Sequence, residues 1–256
     1  MTDPFSLVIV AILTIGIIPT FLGILFRVDI NKLLWNHQLN LDSYASQSVL
    51  KNISLGIMLA LFVDFFAQST HLGVQSGINF QSFGLLYCFI FGFIFTLFLS
   101  SLKPNYLYNS ILLLAISFSF HSFAEGIVMS HSTSNNLGMY LISSSSLDSL
   151  ILPVTSYVLH KFAEGFIIPL FYFLSPSSIV LFTLISGFPV IFGIYAGTIL
   201  SGSFSSLLFA ISSGSFLFII ITYIKNQQIQ TENISDLLFI MLGFTLIYMA
   251  GLPHSI

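Results

Sequence analysis

Long apolar runs separated by short polar stretches limit what this chain can fold into more than any other feature of it. A helix that crosses a bilayer needs about 20 mostly apolar residues. Eight runs meet that length: roughly Pro4–Phe26, Lys51–Thr70, Ser82–Ser101, Leu107–Met129, Leu147–Leu174, Ser177–Leu200, Phe204–Ile224 and Ile234–Gly251. The break between the sixth and seventh rests on Ser201-Gly202-Ser203 alone. Only 6% of the 256 residues are charged, too few to clothe a water-soluble surface, so the bilayer must be the solvent. The expectation is an all-α integral membrane protein. A single transmembrane domain spans residues 1–256, multi-pass in the cell membrane, with eight helices and both termini outside. The first run is expected to stay as a span: Met1-Thr2-Asp3 lacks the basic start of a signal peptide, and the run is too long for one.

The basic residues set this topology. Arg27, Lys32 and Lys51 flank the first connection, Lys103 lies in the third and Lys225 in the seventh, while the second, fourth and sixth have no Lys or Arg. Five of the six basic residues thus share one face, which the positive-inside rule makes cytoplasmic. The connections, the longest Arg27–Leu50 and the next Ser132–Ser146, are too short for a separate domain, which leaves function to the helices. A net charge of −3 leaves no basic patch for nucleic acid. The single cysteine, Cys88, excludes a disulfide framework or a Cys-based metal site, and no GxxxxGK[ST] loop is present to bind a nucleotide.

Ionisable groups inside a membrane are costly and mark cavities or ion paths. The chain has three Glu, and two of them, Glu125 and Glu164, have a His four residues earlier. On the chain's own composition, chance gives this in roughly one case in six hundred. The surroundings repeat too: His121-Ser-Phe-Ala-Glu-Gly126 in the fourth span, His160-Lys-Phe-Ala-Glu-Gly165 in the fifth. Residues i and i+4 share a helix face, so each motif presents an imidazole beside a carboxylate. Two facing helices would converge four ligands suited to Zn²⁺, Fe²⁺ or Mn²⁺. Gly126 and Gly165 fit close helix approach.

These motifs resemble the signature of the ZIP (Zrt-, Irt-like protein) family of divalent metal transporters, and the span count and motif positions are similar along the whole chain. The resemblance implies transport of metal toward the cytoplasm, zinc first, with iron, manganese or cadmium as alternatives. It implies a primary site of His121, Glu125, His160 and Glu164, with Met58 of Gly56-Ile-Met58-Leu-Ala60 facing it. The positions that hold a second metal in many members are Ser122 and Lys161 here, and the sixth span has no acid, which resembles the one-metal subset. Ala124 and Ala163 stand where prolines are common, and the third connection has no His-rich stretch. Two carboxylates and the Lys161 ammonium leave a net −1, and a bound divalent ion makes it about +1, so the metal is held loosely enough to leave.

Asp64, a charge within the second span, is a candidate for the ion path, as are His71 and His131 at outer helix ends. Pro19, Pro153, Pro169 and Pro189 are expected to bend their helices. The expectation is a transporter and not an enzyme, with no catalytic cofactor and a divalent cation as substrate. Its partners are metal ions and membrane lipids, and a homodimer is compatible with the pattern. The competing class is an intramembrane zinc hydrolase with Glu125 or Glu164 as general base, against which stand the missing HExxH and the symmetric motif pair. A structural metal clamp is the third reading.

Overall fold

The computed structural model describes residues 16–36, 42–75, 83–102, 106–132, 148–169, 174–227, 229 and 233–251. Among them there is no strand, and nine helices follow in order: α1 Ile18–Asn36, α2 Asp42–Gln75, α3 Gly84–Ser101, α4 Tyr106–Ser132, α5 Asp148–Ile167, α6 Pro176–Gly187, α7 Pro189–Gly197, α8 Gly202–Gln227 and α9 Ile234–Gly251. Five segments are long and apolar enough to cross a membrane: Ser48–Val74, Gly84–Ser101, Ile111–Ser130, Pro176–Gly197 and Gly202–Gln227. The described residues are thus all-helical, and the chain has the make-up of a multi-pass membrane protein.

The helices follow the apolar runs with instructive departures. Most of the Arg27–Leu50 stretch is helical, since α1 runs on to Asn36 and α2 starts at Asp42. Hydropathy marks only what must meet hydrocarbon, whereas a helix satisfies its own backbone and continues into polar surroundings. The fifth run overreaches, because α5 stops at Ile167. Pro169 disfavours helical geometry in the residue before it, so this proline ends its helix instead of bending it. Pro153 lies within an unbroken α5, and Pro19 in the first turn of α1. The break at 201–203 is real: α7 ends at Gly197 and α8 begins at Gly202. Residues 4–15, Lys103 and most of Ser132–Ser146 lie outside the described residues.

Pro189 splits the sixth run into α6 and α7. Lacking an N–H, it leaves the carbonyl of Ile185, four residues earlier, without its helical donor. Ser119 of α4 takes the donor's place, its Oγ reaching that carbonyl oxygen at 2.5 Å. In a bilayer no water would do so, and a neighbouring hydroxyl is the available substitute.

Two groups of helices meet along a seam. α2, α3, α8 and α9 pack among themselves, α1 packs on α5, and α4 packs on α6 and α7. Glycines allow the closest approaches. A Cβ at Gly126 would strike the Val190 carbonyl of α7, and one at Gly165 the Thr20 carbonyl of α1. The motif glycines therefore seat α4 and α5 against other helices, not against each other. Across the seam Ser117 of α4 and Ser212 of α8 exchange hydrogen bonds, each hydroxyl donating to the other's carbonyl at 3.2 and 2.9 Å. The buried core runs along this seam from Ile24 and Val28 through Leu61, Phe65 and Phe118 to Phe216 and Tyr223.

Candidate metal centre

α4 carries His121 and Glu125 and α5 carries His160 and Glu164, each pair one turn apart. The two backbones stay apart, and long polar side chains fill the space between them. His121 Nε2 lies 3.1 Å from Glu125 Oε1 and 3.3 Å from Glu164 Oε1. His160 Nε2 lies 3.1 Å from the same Glu164 oxygen and 3.4 Å from His121 Nε2. All four residues are buried, and one ligand atom from each falls within 4.8 Å of the rest. Two imidazoles and two carboxylates are the donor set of a borderline divalent cation.

Each carboxylate has a second role. Lys161 Nζ lies 2.5 Å from Glu125 Oε2 and 3.0 Å from both oxygens of Glu164, and it donates to Ser122 Oγ at 3.1 Å. Glu125 thus turns one oxygen to His121 and the other to the ammonium, whereas Glu164 Oε1 meets both imidazoles and the ammonium at once. Tyr157, one turn before Lys161, completes the shell: its hydroxyl donates to Glu125 Oε2 at 3.3 Å, and its ring lies 5.7 Å from Nζ. Nothing in the sequence singled out Tyr157; its spacing of four from Lys161 is the only signal, and it is an ordinary one.

No family model matches the chain, and no curated protein matches its sequence, so the geometry of the site is the guide to its chemistry.

Phe65 of α2 stacks on the His121 ring, with centroids 3.8 Å apart, and Phe209 of α8 meets the ring edge-on at 5.2 Å. This apolar wall came from helices that carry no motif, so sequence spacing could not reveal it. His121 Nδ1 is buried with no hydrogen-bond partner, so the imidazole is held by packing where metal-binding His residues usually rely on a second hydrogen bond. His160 differs: its Nδ1 points to Asp64 Oδ2 at 3.7 Å, and Gln68 Nε2 donates to that oxygen at 2.8 Å.

The other sequence candidates fall into place around this core. Asp64, Gln68 and His71 recur along one face of α2, with His71 exposed at the far end. Met58 is fully buried on the stripe of α2 that holds Phe65 two turns on. Ser122 is a partner of Lys161. The side chain of His131 lies outside the described residues.

Proposed function

We propose that this protein carries divalent metal ions, zinc foremost and iron, manganese or cadmium as alternatives, across the cell membrane toward the cytoplasm. On this reading it has eight spans with both termini outside, as its resemblance to the ZIP family implies. The observation that carries the proposal is the convergence of His121, Glu125, His160 and Glu164 from two helices buried among apolar spans. A structural site could sit anywhere; a charged one in mid-span is expensive and fits an ion path.

The surroundings support carriage over permanent retention. The Lys161 ammonium already neutralises part of the carboxylate charge, and His121 lacks the second hydrogen bond that would strengthen it as a ligand. A metal arriving along Asp64, Gln68 and His71 would meet His160 first. Both features favour a site that loads and unloads. Lys161 takes the place of a second cation, so one metal per chain is expected.

The test is metal influx into proteoliposomes holding the purified protein, with Zn²⁺, Fe²⁺, Mn²⁺ and Cd²⁺ compared. Saturable influx that vanishes in His121→Ala/Glu164→Ala is the expected result. One tightly bound metal per chain with no influx would refute carriage and turn attention to the zinc hydrolase.

A further inference from the structure

Among the described residues, Arg27 is the one buried side chain that neither the packing nor the metal centre accounts for. It stands at the end of the first apolar run, where an arginine ordinarily stretches its head to the membrane surface. Here it turns inward and is only 2% exposed. Its Nη1 donates to Ser54 Oγ of α2 at 2.9 Å, and its guanidinium carbon lies 4.9 Å over the Phe166 ring of α5. The Nε is buried with no hydrogen-bond partner, and no carboxylate pairs with the group among the described residues. Beside it Tyr223 of α8 donates to the Lys51 carbonyl oxygen at 3.1 Å. An unpaired guanidinium inside a protein is destabilising, and an aliphatic side chain would pack there at less cost.

Its place explains it. Ser54, Met58, Leu61 and Phe65 recur on one face of α2, all buried. Phe65 covers His121, so the face leads from the metal centre past Leu61 and Met58 to Ser54 and Arg27. Lys51 and Tyr223 lie there too, which makes this the basic end of the bundle. Arg27 bridges the seam, joining α1 and α5 on one side to α2 on the other through one hydrogen bond and one ring contact and, among the described residues, without a salt bridge. A fixed cation across a cation's route is a barrier, and a bond this light can part.

We propose that Arg27 is the gate at the basic end of the metal route, closing it by charge and bulk until its guanidinium leaves Ser54. The proposal rests on the transport reading of the site. Its test places a reporter thiol, Leu61→Cys, in the Cys88→Ser protein in liposomes and times labelling by a membrane-impermeant maleimide from the basic-end side. Labelling is slow with Arg27 present, and Arg27→Lys keeps it slow. In Arg27→Met and Arg27→Ala it accelerates at least about tenfold, as expected when a closed population is released. Labelling from the opposite side stays unchanged.

Equal labelling in all variants, each still binding one metal per chain, overturns the gate. Should the Arg27 variants not fold, Ser54→Ala serves instead, with a rise of roughly threefold expected and no rise counting against the gate. Faster labelling in a protein that shows no metal influx means that Arg27 closes this end of the bundle but that no metal passes it, which refutes carriage and a metal gate with it. Influx with unchanged labelling upholds carriage and refutes the gate alone.

Discussion

Lys161 is the residue on which the metal centre turns. Its ammonium touches both carboxylates, so removing it leaves two buried acids facing each other. Breaking a buried ion pair from one side costs about 3–5 kcal/mol. Lys161→Met should therefore lower the melting temperature of the metal-free protein sharply, and Zn²⁺ should restore much of it by supplying the missing positive charge. It should also bind metal more tightly and release it more slowly, read as lower KM and lower turnover in proteoliposomes. A Lys161→Met protein with unchanged melting, affinity and flux would show that the clamp has no part in the site.

At the level of the helix, the Ser119–Ile185–Pro189 arrangement gives a quantitative test. Ser119→Ala leaves a half-buried carbonyl without its donor and should cost about 1 kcal/mol. In Pro189→Ala the new N–H can satisfy Ile185, so Ser119→Ala should then cost little. The coupling expected from the double-mutant cycle in detergent is about 1 kcal/mol. Additive costs would mean that the hydroxyl does not stand in for the missing donor. A second element-scale expectation concerns Gly126, where an added Cβ meets the Val190 carbonyl. Gly126→Ala should push α7 from α4 at the turn bearing Glu125, destabilising by about 1–3 kcal/mol and weakening metal binding with it.

For the molecule as a whole, the expected topology puts exposed Lys225 and exposed His71 on opposite sides of the membrane. In a Cys88→Ser background, Lys225→Cys should react with impermeant reagents only from the cytoplasm and His71→Cys only from outside. Reaction from the same side would overturn the eight-span reading. Transport as a whole should also respond to acid. Metal must displace protons from its imidazole and carboxylate ligands, so influx should weaken as the medium is made acid. Influx undiminished by acid would mean that His121 and His160 are not the ligands.

Much of this was written in the chain itself. Apolar runs about as long as a bilayer is thick reveal membrane helices because lipid offers the backbone no alternative partner. Spacing of four reveals each His/Glu pair because neighbours on one helix face are fixed by helix geometry. Both signals are local, and local geometry survives folding. What the tertiary structure decided lies between helices. It turned Gly126 toward α7 and Gly165 toward α1, laid Phe65 and Phe209 against His121, and gave the Ile185 carbonyl to Ser119. It also drew Arg27, which hydropathy places at a membrane surface, into the seam against Ser54. Such contacts join residues far apart along the chain, and their partners are chosen by how whole helices pack.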